Sequence, residues 1–204
     1  MWPTALTLFR IAMGPLIAGL ILWAAHETYA DRPLAGFIYA LCMILFVLAA
    51  ITDWLDGWLA RKLDAVTPLG AALDHTADKV LIVCVLVALA YAALPLGLVA
   101  AAVLILGRDV AMAGLREGLS HGGRAVPVSQ LGKWKAAAEM AGVGAFLAFQ
   151  AGALLFAPSS IVIGLDWAAR ILLWGAAALA LISAGVYVTA VLRRPGVTET
   201  GESS

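Results

Sequence analysis

Four aspartates in the segment "ITDWLDGWLARKLDAVTPLGAALDHTADKV", residues 51–80, stand at spacings that suit metal chemistry. Asp53 and Asp56 are separated by i, i+3 and Asp74 and Asp78 by i, i+4, so each pair shares one face of a helix. If the chain turns back between them, the two pairs meet on antiparallel neighbours at similar depth. Four facing carboxylates repel and raise one another's pKa values unless a cation lies between them. An all-oxygen donor set suits hard divalent ions, Mg²⁺, Mn²⁺ or Ca²⁺, and no Cys or His joins it in a zinc-like pattern. The expectation is a metal site for two ions. Small residues stand among the carboxylates: Gly57 and Ala60 after Asp56, and Gly70 one turn before Asp74. They leave room for a flat or backbone-close ligand group, and Arg61 beside them is suited to bidentate phosphate contact. Together these residues describe a diphosphate pocket. Asp64, between the pairs, reads as a solvated loop residue.

The elements that must hold these groups are membrane spans. Of 204 residues, 63% are hydrophobic and 13% charged, where a soluble domain carries roughly 25% charged residues. Mean hydropathy is +0.98. Six apolar stretches, roughly 5–25, 34–60, 70–92, 95–116, 133–157 and 168–192, are each long enough to cross a bilayer. The predicted fold is therefore all-α, a polytopic membrane protein of six transmembrane helices. Residues 1–192 form one catalytic domain and residues 193–204, "RRPGVTETGESS", a short polar tail. The first apolar stretch has no basic region ahead of it and no clear cleavage site, so it reads as a retained span. Basic residues gather in the second loop (Arg61, Lys62), the fourth (Arg116, Arg124, Lys133, Lys135) and the C-terminus (Arg193, Arg194). Positive charge stays on the cytoplasmic side, which puts both termini there and requires an even number of spans. Trp2, Trp54, Trp134 and Trp167 flank span ends as an interfacial belt. Cys42 and Cys84 lie in apolar runs and read as small core residues rather than a disulfide.

Asp53–x2–Asp56–Gly57–x2–Ala60–Arg61–x8–Gly70–x3–Asp74–x3–Asp78 resembles the full signature of the CDP-alcohol phosphotransferases. Pro3, Leu6, Thr7 and Arg10 resemble the family's N-terminal opening, with Thr4 where Asn is usual. The segments "GRDVAMAGLREGLS" and "VPVSQLGKWKAAAEM" resemble the branch that forms phosphatidylglycerophosphate, with His75 and Ala136 as departures. The resemblance implies a homodimer in the cell inner membrane with a site open to the cytoplasm. It implies that Asp53, Asp56, Asp74 and Asp78 hold two Mg²⁺ or Mn²⁺ ions, with Asp78 also the candidate base. Gly57, Ala60, Arg61 and Gly70 would line the CDP site. The implied reaction joins CDP-diacylglycerol and glycerol 3-phosphate; no nucleic-acid partner is expected.

Glycerol 3-phosphate is a dianion and calls for a positive pocket. Arg108, Arg116 and Lys135 are the candidates, near the cytoplasmic ends of helices 4 and 5. Arg108 lies well inside an apolar run, and an intramembrane Arg is a functional candidate, although pairing with the adjacent Asp109 is a structural alternative. Lys133 and Arg124 read as topological, and Lys79 as either a tuner of the metal cluster or a snorkelling residue. The rivals within the class are serine, an inositol phosphate or phosphatidylglycerol as acceptor. A divalent-cation transporter is the rival outside it, disfavoured because the carboxylates gather at one end and helices 5 and 6 offer only Glu139 between the loops.

Overall fold

The computed structural model is all-α among its described residues, which are 2–62, 68–121 and 130–192. Side chains are described over 7–52, 76–115 and 131–186, and at 117 and 189. Six helices follow in order: α1 (Trp2–Ala30), α2 (Arg32–Lys62), α3 (Pro68–Ala92), α4 (Leu96–His121), α5 (Gln130–Leu155) and α6 (Ser160–Leu192). Each expected apolar stretch is thus a helix. Among the described residues, five of them carry windows long and apolar enough to cross a membrane: Thr7–Ala30, Arg32–Thr52, Leu96–Leu115, Leu131–Leu155 and Ser160–Val186. The tail at 193–204 lies outside the described residues.

Two connections are shorter than the sequence suggests, and capping explains both. The stretch "HETYADRP" contracts to one non-helical residue, Asp31. Its carboxylate accepts a hydrogen bond from the Leu34 amide at 3.0 Å, an N-cap that starts α2 as soon as α1 stops. Likewise Ser159 Oγ accepts from the Val162 amide at 3.4 Å, so α6 begins at Ser160 and takes in "SIVIGLD".

The packing order differs from the chain order. α1 packs against both α2 and α3, α2 continues to α5, α5 to α6 and α6 to α4, while α3 and α4 touch only lightly. These contacts make a ring of six helices. Its interior is filled from every helix, by Ile21, Phe46, Leu86, Ile105, Phe146 and Leu173 among others. The outer surface is equally apolar, with Phe37, Ile44, Val103, Ile171 and Ile182 exposed. A helix apolar all round belongs in lipid.

The register of each helix pair follows from its close contacts. Gly14 of α1 lies so near α3 that a Cβ there would stand 3.2 Å from Leu81 Cα and 3.2 Å from Val80 O. α2 and α5 run antiparallel: a Cβ at Gly36 would meet Leu155, and one at Gly144 would meet Phe46. α5 and α6 are also antiparallel, since Gly142 faces Leu173 and Gly152 faces Val162. Because backbone rather than side-chain ends stands opposite Gly14, the helices must separate to admit a larger residue. Gly14→Val should therefore destabilise the detergent-solubilised protein by about 1–3 kcal/mol in a denaturant titration. Gly19→Val, at a position with nothing within 4 Å, is the control and should change it little.

Candidate active site

The backbone places the acidic signature where two helices reach the same edge of the bundle. Asp53, Asp56, Gly57, Ala60 and Arg61 stand on the last turns of α2, and Gly70, Asp74 and Asp78 on the first turns of α3. The side chains of Asp53, Asp56, Gly57, Ala60, Arg61, Gly70, Asp74 and Arg116 lie outside the described residues, as does loop residue Asp64. Register nevertheless fixes the level of α2. Carrying the Gly36–Leu155 and Phe46–Gly144 pairing along the unbroken helix brings Asp53 level with Ala137, between Lys135 and Glu139.

Asp78 is the one signature carboxylate whose side chain is described. It is 32% exposed and accepts a hydrogen bond at 3.1 Å from Nη1 of Arg10, which is fully buried. The partners are far apart in sequence and meet because α1 and α3 run parallel, Gly14 and Leu81 marking the next turn of the same contact. Arg10 entered the sequence reading only as part of the family's opening motif; its side chain in fact reaches the acidic group.

A second polar group joins α4, α5 and α6. Arg108 donates from Nε to Ala180 O at 3.2 Å, from Nη2 to Ser183 Oγ at 2.7 Å and from Nη1 to Asp109 Oδ1 at 3.1 Å. The other Asp109 oxygen, Oδ2, accepts from Lys135 Nζ at 2.7 Å. Lys135 also pairs with Glu139 Oε2, one turn on, at 2.6 Å. Lys135 and Glu139 are both buried, and Arg108 and Asp109 nearly so. Among the described residues Glu139 Oε1 is buried with no hydrogen-bond partner. Two of the proposed acceptor residues, Arg108 and Lys135, are thus brought together, joined by Asp109. The pairing of Arg108 with Asp109 exists, and it is one part of a larger network. Lys133 is exposed, consistent with a topological charge. Asp109, Glu139 and Ser183 were not marked as site residues. Their signal was faint: an i, i+4 Lys–Glu pair on α5, and a serine in an apolar run of α6.

Below this band a groove of about 420 Å³ opens between α2 and α5. Its walls are Phe46, Val47, Ala50, Ile51, Met140, Ala141, Gly144 and Ala145, apolar throughout. It begins within one turn of Asp53 on α2 and of Glu139 on α5.

The fit to divalent cations rests on donor chemistry. The signature offers carboxylate oxygens alone, and Asp78 keeps part of its side chain accessible while Arg10 holds it. Among the described residues no three His, Cys, Asp or Glu form a metal-sized group; the side chains of Asp53, Asp56 and Asp74 lie outside them.

An apolar-surfaced ring of long helices with paired charges at one depth defines a polytopic membrane protein with an ionic site near one face. Comparison with known proteins says which kind. The family model for CDP-alcohol phosphatidyltransferase matches residues 1–191, and the chain belongs to that family of transferases. A Rickettsia bellii CDP-diacylglycerol–glycerol-3-phosphate 3-phosphatidyltransferase is 38% identical over 192 residues, 92% of this chain and 93% of its own length. A protein of the same name from Bacillus subtilis is 38% identical over 151 residues, 71% of this chain and 75% of that one. A cardiolipin synthase (CMP-forming) from rice is 33% identical over 207 residues, 94% of this chain but 57% of the rice protein.

The Arg10–Asp78 contact yields a measurable expectation. Removing one partner of a buried pair leaves an uncompensated charge, at a cost of about 3–5 kcal/mol when both are enclosed. Asp78 is partly exposed, so Arg10→Met should cost about 2 kcal/mol in denaturant unfolding, short of that full penalty. The conservative Arg10→Lys should recover part of the loss.

Proposed function

We propose that this chain transfers the phosphatidyl group of CDP-diacylglycerol to glycerol 3-phosphate, releasing CMP and forming phosphatidylglycerophosphate. The observation that carries the reading is the joining of Arg108 and Lys135, through Asp109, at the level of the acidic signature. Two cations beside a phosphate-activating site suit an acceptor that is itself a phosphate ester. Relatives named for this reaction, with nearly whole-length matches, support the same acceptor.

In this reading a hydroxyl oxygen of glycerol 3-phosphate attacks the phosphorus that bears the diacylglycerol. The bond from that phosphorus to the CMP oxygen breaks, CMP leaves, and Asp78 takes the hydroxyl proton. Arg61, with the small residues Gly57, Ala60 and Gly70, lines the CDP moiety. Arg108, Arg116 and Lys135 face the acceptor phosphate. Asp53, Asp56, Asp74 and Asp78 would hold two Mg²⁺ or Mn²⁺ ions, which when bound neutralise the diphosphate. The chain's remaining contribution is alignment of two substrates that arrive from different phases. The apolar groove between α2 and α5 suits an acyl chain of the donor, its head held at Asp53. Residues 1–192 act as one catalytic domain in a homodimer of the inner membrane. Both termini and the site face the cytoplasm, and residues 193–204 form a polar tail.

The rice relative favours phosphatidylglycerol as a second acceptor, which would give cardiolipin. CMP release by the purified protein, measured with each acceptor in turn, separates the two. Turnover is expected with glycerol 3-phosphate, not with phosphatidylglycerol, serine or an inositol phosphate. Chelation should abolish it and Mg²⁺ or Mn²⁺ restore it. Asp78→Asn should reduce kcat by at least about 10²-fold, the lower range for loss of a general base. Turnover confined to phosphatidylglycerol would keep the chemistry and overturn the acceptor.

A further inference from the structure

We infer that Asp109 is a positioning residue for the acceptor: it sets the Lys135 ammonium against the Arg108 guanidinium, so that an anionic phosphate ester meets two cations at a fixed separation. The inference rests on the proposed reading of the site and gives a role to Asp109, which that reading names only as the link between the two cations.

The geometry gives Asp109 a role its neighbours do not share. Arg108 is anchored independently of Asp109, because Nε and Nη2 are held by Ala180 O and Ser183 Oγ of α6. Lys135 has no comparable anchor on α6 among its described contacts. Its two partners are Glu139 on its own helix and Asp109 on α4. α4 and α5 share no extensive packing of their own; each leans on α6. The Asp109–Lys135 pair therefore spans a gap that the helix backbones do not close. One carboxylate, with Oδ1 on Arg108 and Oδ2 on Lys135, measures the distance between the two cations. An aspartate is short and has two torsions, so little freedom remains in that measure.

Charge and position make opposite demands here, which makes the inference testable. Counted as charge alone, Asp109 repels an acceptor dianion, and neutralising it should tighten acceptor binding. Counted as a spacer, its loss releases Lys135 to Glu139 and dismantles the pocket. The experiment is steady-state CMP release by the full-length protein in mixed micelles, varying glycerol 3-phosphate and CDP-diacylglycerol separately, for wild type, Asp109→Asn and Asp109→Glu.

The expected result is an acceptor KM raised by about tenfold or more in Asp109→Asn, with the donor KM within about twofold of wild type. Asp109→Glu keeps the ion pair on a longer arm, and its acceptor KM should fall between the two. A role confined to stability would lower the unfolding midpoint and the amount of active enzyme without splitting the two KM values. An acceptor KM that is unchanged or lower in Asp109→Asn overturns the inference. Should Asp109→Asn fail to fold, Asp109→Glu decides alone: a wild-type acceptor KM overturns the inference, and a raised one at normal unfolding midpoint supports it. Wild-type enzyme that turns over only another acceptor would instead sink the proposed function, a result that no Asp109 variant is needed to see.

Discussion

Charge inside an apolar bundle has to be neutralised where it stands. An unpaired ion among hydrocarbon costs several kcal/mol, and no solvent is at hand to share it. The helices of this protein are arranged so that the buried ions of the two clusters meet partners on their own helix or across a helix boundary. Arg10 ties α1 to α3 through Asp78, and the Arg108–Asp109–Lys135–Glu139 network ties α4, α5 and α6. Such pairs add little net stability over well-packed apolar residues, but they penalise every arrangement that separates them. Dispersion packing in lipid is only weakly selective, because lipid tails compete with side chains on nearly equal terms. Ionic pairing at one depth supplies selectivity, and the depth it selects is that of the acidic signature.

Much of this was legible in the chain. Helix number and type follow from apolar run length, a strong and local signal, and all six helices lie where those runs do. The place of the acidic quartet on the end of α2 and the start of α3 was legible because both of its spacings are helical. Arg108 was legible because it lies well inside an apolar run. What escaped was of two kinds. Helix ends shifted where a single cap, Asp31 or Ser159, lets a helix begin sooner than turn-forming composition suggests. Several partners of the cations escaped because the contact joins positions on different helices, as with Ser183 and Arg108 or Arg10 and Asp78. Periodicity assigns a residue to a face; it does not say which helix that face will meet.

The packing order follows the same division. Small residues mark the close approaches, Gly14 of α1 against α3 and Gly142 of α5 against α6, and these set register to within a turn. Register in turn brings Arg10, Asp53, Lys135 and Arg108 near one depth, although they come from four helices. No single helix carries a complete site. In the proposed reading the acidic motif serves one substrate and the α4–α6 network the other.

The parallel pairing of α1 with α3 bears on how the chain is made. Arg10 emerges from the ribosome well before Asp78, and the intervening residues are chiefly α2, which forms an antiparallel hairpin with α1. That hairpin is apolar enough to insert, yet it would carry a buried guanidinium without the carboxylate it is built to meet. Arg10 therefore gains the Asp78 carboxylate only once the third helix has been made and lies alongside α1. The N-terminal helix is thus the first to be translated, yet its buried cation is matched by a residue of the third helix, so the first ionic tie of the ring joins segments made at different times.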